Sequence, residues 1–135
     1  MIDELTLKYT LGKEEKLKSK KLIEQLFLEG TRVKLYPIQL IYLEKNHKAE
    51  FPIQVGFSVP KRNIKLAVNR NRIKRVLREI YRCNKFGFSE KIGKKYIFMF
   101  IYMAKEEINH ANLEVSFLKL LEKFSTKIEG YEAQN

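Results

Sequence analysis

Cysteine and proline are scarce in this sequence of 135 residues, and tryptophan is absent. The single cysteine, Cys83, excludes an internal disulfide and any zinc or iron–sulfur site built from several cysteines. The longest apolar run, residues 96–104, has nine residues, whereas a membrane-spanning helix needs about 20. The N-terminal residues do not show the charged head, apolar stretch and small-residue cleavage site that together mark a signal peptide. These absences favour a soluble, cytoplasmic globular protein.

The residues of a self-sufficient active site are also lacking. The acidic residues are scattered, and none of the six glycines belongs to a phosphate-binding loop of the G-x-x-x-x-G-K-[ST] or G-x-G-x-x-G type. His47 falls in a predicted turn and His110 before a predicted helix, so we interpret both as surface residues. Cys83 has no CxxC mate, and we interpret it as a packing residue. We therefore predict no catalytic residue and no metal site in the protein itself.

Positive charge is what the sequence has in excess, and nearly all of it lies in one segment. The formal net charge is +11. Residues 1–60 contribute +2 and residues 83–135 contribute +1, whereas residues 61–82 contribute +8, with Glu79 as the one acid among nine basic side chains. A solvated helix face normally mixes both signs, so this segment indicates a polyanionic partner. Arg72 and Arg75 lie beside Glu79 at helical spacing, which predicts an intrahelical ion pair for that carboxylate.

Hydrophobic periodicity predicts an α+β fold in the order α-β-β-α-β-α. A first helix follows Ser19 as N-cap and ends at Gly30. Strands are predicted over residues 38–43 and 53–59, joined as an antiparallel hairpin, and a doubly buried strand over residues 96–102. The last helix follows it. We expect one domain over residues 1–135, with 1–16 a loosely ordered arm and 130–135 a tail.

The second helix, predicted over residues 66–83, has two distinct faces. At 100° per residue one arc is apolar, and the opposite arc is polar and mostly cationic. The apolar arc holds Leu66, Ile73, Val76, Leu77 and Ile80. The opposite arc, here called the basic face, holds Asn71, Lys74, Arg75, Arg78 and Arg82.

The start of this helix carries the most specific motif in the chain. The segment AVNRNRIKRVLRE, from Ala67, resembles the A-V-x-R-N-R-x-K-R-x-x-R signature of the bacterial ribonuclease P protein family. The segment GFSVPKR, residues 56–62, is similar to the strand end that precedes the motif in that family, and residues 16–30 are similar to its first helix. The chain departs from the family at residues 63–66, where the connection NIKL is longer by about one residue and lacks a glycine.

The resemblance implies a fold and a function. The fold is a single-domain sandwich shared with a ribosomal protein domain, with a small, mostly antiparallel sheet and a left-handed βαβ crossover, which departs from the usual handedness. The function is that of the protein subunit of ribonuclease P, whose catalytic RNA and its bound Mg²⁺ remove the 5′ leader from precursor tRNA. The protein alone is then expected to have no activity, and neither a membrane nor DNA is expected as a partner.

Candidate binding residues follow from the charge pattern and the resemblance together. The expected contacts to the catalytic RNA are cations, which neutralise phosphates, and one amide. They are Lys61, Arg62, Arg70, Asn71, Arg72, Lys74, Arg75, Arg78 and Arg82. The single-stranded leader is expected in a cleft between the first helix and the sheet, where Phe27, Tyr36 and Ile23 offer stacking surfaces. Core packing is the alternative role for these three.

Three other functions remain open at this point. A structural RNA-binding protein of the ribosomal type would use the same basic helix as an anchor, and only the motif disfavours it. A helix-turn-helix DNA-binding protein would need a second helix three or four residues from the basic one, whereas residues 84–95 lead into a strand. A protein-only nuclease would need clustered acids that the sequence lacks.

Overall fold

The computed structural model describes residues 11–89 and 92–134. A 3-10 turn, Lys13–Glu15, precedes the first helix. The helices are α1 (Lys20–Glu29), α2 (Ala67–Ser89) and α3 (His110–Gln134). The strands are β1 (Thr31–Leu35), β2 (Ile38–Glu44), β3 (Ile53–Ser58) and β4 (Tyr96–Tyr102). The α+β class is confirmed, but the order is α-β-β-β-α-β-α, with one strand more than predicted.

The sheet is mixed and mostly antiparallel, in the order β1-β2-β4-β3. β2 pairs antiparallel with both β1 and β4, whereas β3 pairs parallel with β4. The predicted hairpin between residues 38–43 and 53–59 is therefore wrong, because β4 lies between the two strands. β4 is apolar on both faces, which suits a central strand, because there both faces of the sheet are covered.

β1 is the strand that the sequence analysis missed. Only Val33 of its five residues is buried, and the register places Val33 opposite Leu40 on β2. A short edge strand that buries one side chain gives no alternating pattern long enough to recognise. A cis peptide between Tyr36 and Pro37 lies in the turn that joins β1 to β2.

Each face of the sheet carries its own apolar cluster. On one face α2 and α3 pack against inward-facing residues of all four strands, with an aromatic centre that includes Phe98, Phe100 and Phe117. On the other face α1 packs through Leu26 against Ile41 and neighbouring side chains of β4. The protein is thus a sheet with two helices on one face and a single short helix on the other.

The helix boundaries differ from the predicted ones at several points. Leu66 precedes α2 and is 65% exposed, so it does not belong to the core face. α2 continues past Cys83 to Ser89, and Cys83 is exposed, which corrects its interpretation as a packing residue. α3 extends to Gln134 and so includes most of residues 130–135, which were predicted as a tail.

The predicted N-terminal arm falls partly outside the described residues. Residues 1–10 lie outside them, whereas Lys16 forms a parallel bridge with Val55 of β3.

Candidate nucleic-acid interface

α2 separates its apolar and basic faces as the helical period predicts. Ile73, Leu77 and Ile80 are buried in the core beneath α2. Arg75 and Arg78 on the opposite side are exposed. Burial of the apolar face therefore fixes the direction in which the basic face points.

The other side chains of the basic face differ in exposure. Asn71 is exposed, and Lys74 is half-buried. Lys61 and Arg62 are exposed in the turn that follows β3, so they add two cations at the start of the crossover to α2.

Arg70 has an internal role in this structure. Its guanidinium donates to the carbonyl oxygens of Ile64 and Lys65 at 3.0 and 2.7 Å. The Asn63 side chain also donates to the carbonyl of Tyr102 at 3.1 Å, and Ile64 is buried. These contacts fix the connection NIKL, residues 63–66, so its one cation, Lys65, has a defined position before α2.

Arg72 is held by an acidic side chain from a distant segment. Its guanidinium donates to both carboxylate oxygens of Glu107 at 2.7 and 3.1 Å and to the side-chain oxygen of Asn69. Both members of the ion pair remain about half exposed to solvent, so an exposed phosphate can compete for this arginine.

Glu79 forms an intrahelical ion pair, as predicted, but its partner is Arg82. The two side chains are 2.6 Å apart at a spacing of three residues, and the hydrogen bond from Arg82 lowers the pKa of Glu79. Arg72 pairs with Glu107 instead, and Arg75 makes no ion pair within the described residues. The predicted partners, Arg72 and Arg75, are therefore wrong.

The side chains of five cations in the predicted interface make no hydrogen bond or ion pair with the described part of the chain. We call them the free cations. They are Lys61, Arg62, Lys74, Arg75 and Arg78. Since no carboxylate among residues 11–89 and 92–134 pairs with them, their charge is directed at the solvent or at an anionic ligand.

The three predicted cleft residues are only partly brought together. Ile23 and Phe27 lie one turn apart on α1; Ile23 is half-buried on the apolar cluster under this helix, and Phe27 is 41% exposed. The guanidinium of Arg32 lies 6.0 Å from the centre of the Phe27 ring. Tyr36 is 66% exposed in the turn between β1 and β2, and it makes no ring contact with Phe27. We call Ile23 and Phe27 the α1 pair.

A second cationic surface, which the sequence analysis missed, lies at the start of α1. A groove of about 660 Å³ is lined there mainly by lysines and other polar side chains. It is lined by four lysines, one acid and other side chains: Lys13, Lys16, Lys18, Lys48, Glu14, Ser19, Leu22, His47 and Gln54. The run KEEKLKSKK, residues 13–21, was the available signal, but acids elsewhere in residues 1–60 reduced the summed charge to +2.

The two histidines lie at or near the surface, and His47 also organises a loop. Its Nε2 lies 3.0 Å from the Pro52 carbonyl, and its Nδ1 accepts from the Ala49 amide at 3.3 Å. Burial lowers the pKa of His47 and so favours the neutral ring that these contacts need. His110 is exposed at the start of α3, 3.4 Å from Glu114.

Neither a metal site nor a membrane span is found among residues 11–89 and 92–134. No group of three histidine, cysteine or acidic side chains there is arranged to hold a metal ion. No helix in the same part of the chain is long and apolar enough to cross a membrane.

Comparison with known proteins gives consistent matches. A family model described as Ribonuclease P matches residues 11–125. A ribonuclease P protein component from Porphyromonas gingivalis is 28% identical, with 94% of this chain and 95% of that protein covered. The one from Vibrio campbellii is 30% identical, with 90% of this chain and 98% of that protein covered.

A solved structure shares the fold. The RNase P protein of Staphylococcus aureus superposes with a TM-score of 0.66 at 22% identity. The superposition covers 82% of this chain and 94% of that one.

Proposed function

The chain belongs to the ribonuclease P protein family, and we propose that it binds the catalytic RNA through the basic face of α2. It is the protein subunit of a ribonucleoprotein endoribonuclease of tRNA processing, in which the RNA carries the catalysis. The observation that supports this mode of binding is the group of free cations along α2 and the turn before it. The whole chain acts as one RNA-binding domain, and we assign it to the cytoplasm with its RNA partners.

The free cations act by neutralising phosphates that a folded RNA brings close together. Arginine offers a planar fork of donors that matches phosphate oxygens, and lysine supplies a compact charge. Each cation placed near phosphates replaces a condensed counterion. The Mg²⁺ needed for the hydrolysis is bound mainly by the RNA. The protein therefore lowers the Mg²⁺ concentration that the RNA requires.

The α1 pair forms part of a surface for the 5′ leader of precursor tRNA. Single-stranded RNA is bound by stacking of its bases on aromatic side chains while cations follow its backbone. Phe27 offers an exposed ring beside the cationic Arg32, and Tyr36 offers a second exposed ring. The lysine groove at the start of α1 supplies further cations for the leader backbone.

A structural RNA-binding protein of the ribosomal type, the alternative drawn from the sequence, would use the same cations without assisting cleavage, and the family match disfavours it. A helix-turn-helix protein fits the architecture poorly, because α2 leads into β4 and not into a second helix. These functions are separated by activity rather than by binding.

The test is removal of the 5′ leader from precursor tRNA by a bacterial ribonuclease P RNA at low Mg²⁺, with and without the protein. We expect the protein to stimulate cleavage and to cleave nothing without the RNA. Binding of the RNA without stimulation would favour the structural alternative, and cleavage by the protein alone would favour a protein nuclease.

A further inference from the structure

Residues 12–17, here called the strap, cross the outer edge of the sheet and lead into α1. β3 is an edge strand, and the Leu17 amide donates to the Val55 carbonyl at 2.9 Å in a parallel bridge. The Gln54 side chain donates to the Glu14 carbonyl at 2.8 Å. α1 begins at Lys20, directly after these contacts. The strap therefore determines where α1 starts on its face of the sheet.

A buried ion pair ties the strap to α2, which lies on the opposite face. Lys85 Nζ is 2.6 Å from Glu15 Oε1, and the two side chains are 2% and 12% exposed. The ammonium also lies 4.8 and 5.3 Å from the ring centres of Phe51 and Phe86. The other oxygen of Glu15 accepts from the Gly12 amide at 2.7 Å. Because the pair is withdrawn from water, salt screens it weakly and its geometry is narrowly defined.

Packing alone holds α1 weakly. Leu26 is its one fully buried side chain, whereas the larger helices bury several. The end of α1 is set by Gly30, where an added Cβ would lie 2.7 Å from Ile41 Cγ2. The position of its beginning therefore depends on the strap.

The ion pair lies on α2 beyond the basic face. Lys85 is seven residues after Arg78, about two helical turns, but its side chain is buried whereas that of Arg78 is exposed. One residue pair thus joins the helix that carries the basic face to the segment that positions the α1 pair.

We propose that Glu15 and Lys85 are positioning residues, whose ion pair fixes α1 and its leader surface relative to the basic face of α2. The inference rests on the proposed function, which assigns the catalytic RNA to α2 and the leader to α1. A buried ion pair adds little stability over a well-packed apolar pair. Its role here is geometric, because it connects two binding surfaces on opposite faces of the sheet.

The test uses the holoenzyme reconstituted with a bacterial ribonuclease P RNA. The affinity for precursor tRNA is divided by the affinity for tRNA without a leader, which isolates the leader contribution. The double variant Glu15→Gln/Lys85→Met removes both charges of this ion pair together, which is less disruptive than removing one of them. Glu44→Gln/Lys94→Met is the matched control, since it removes an exposed ion pair of the same two residue types that lies outside the strap.

We expect the double variant to lower the affinity ratio by about three- to tenfold, with affinity for the RNA subunit within about twofold of the wild type. The control leaves both quantities unchanged. An unchanged ratio in a folded double variant overturns the inference, and so does equal loss of both affinities. If circular dichroism shows that the double variant does not fold, Glu15→Asp, which keeps both charges but shortens the reach to Lys85, is measured against the same criteria. If the wild-type holoenzyme bound precursor tRNA and leaderless tRNA with equal affinity, the proposed leader binding itself would be refuted.

Discussion

The double variant Arg75→Ala/Arg78→Ala removes two of the five free cations without touching the core. Both side chains are exposed, and neither bonds to another described residue. Exposed substitutions of this kind change the free energy of unfolding by about 0.5 kcal/mol or less. A loss of RNA affinity in this variant would therefore report on the interface and not on the fold.

The expected magnitude follows from the number of free cations. Each neutralised phosphate contributes about 0.7 to 0.9 to the slope of log affinity against log salt concentration. Five free cations then give a slope of roughly −3.5 to −4.5, and the three left in the double variant give roughly −2 to −3. Arg70, Arg72 and Arg82 are omitted because each donates to a group of the protein itself.

The assay is equilibrium binding to ribonuclease P RNA over a series of monovalent salt concentrations. Lys119→Ala/Lys127→Ala is the matched control, because it removes two exposed cations from α3 and leaves the basic face intact. We expect the control to keep the wild-type slope. A wild-type slope near −1, or equal slopes for the wild type and Arg75→Ala/Arg78→Ala, would refute the assignment of the basic face as the RNA contact.

Three further predictions use other features of the structure. Glu107→Gln removes the carboxylate that holds Arg72 and so frees this arginine for RNA. The same salt titration should show tighter RNA binding and a slope steeper by up to about 0.9, and weaker binding would contradict this. The free energy of unfolding should change by less than about 1 kcal/mol. Because burial lowers the pKa of His47, the unfolded chain binds more protons than the folded one at mildly acidic pH. The contribution of the neutral His47 ring to the free energy of unfolding should therefore be fully present above about pH 6.5 and decrease below it. Urea unfolding of the wild type and His47→Ala checks this, since the variant should lose that part of the pH dependence. Gly30→Ala places a Cβ against Ile41 and the Leu26 carbonyl and should cost about 1–3 kcal/mol of unfolding free energy; an unchanged urea midpoint would contradict the tight closure of α1.

The sequence was sufficient for features that depend on local periodicity. The two faces of α2 follow from side-chain spacing within one helix, and Ile73 and Leu77 are buried as the pattern requires. Ser19 and Gly30 bound α1 as predicted, because the Leu22 amide donates to the Ser19 hydroxyl and Gly30 is the C-cap.

Features that depend on distant parts of the chain were not accessible in the same way. The order of the strands depends on which strand has both faces covered by helices. β2 and β3 follow one another in the sequence, but β4 lies between them in the sheet, so the predicted hairpin does not form. Arg72 is held by Glu107, 35 residues away, and Glu15 by Lys85, 70 residues away. Such pairings arise from the tertiary fold, and a helical wheel cannot show them.

The most direct test of the basic face uses the single cysteine. Cys83 is exposed on α2 beside Arg82, so an iron chelate attached there generates hydroxyl radicals next to the proposed contact surface. We predict strand scission at defined positions of ribonuclease P RNA in the reconstituted complex. The same chelate on α3, attached at Lys119→Cys in a Cys83→Ser background, should give much weaker scission. Stronger scission from the α3 position, or none from Cys83, would contradict the conclusion that the basic face of α2 binds the catalytic RNA.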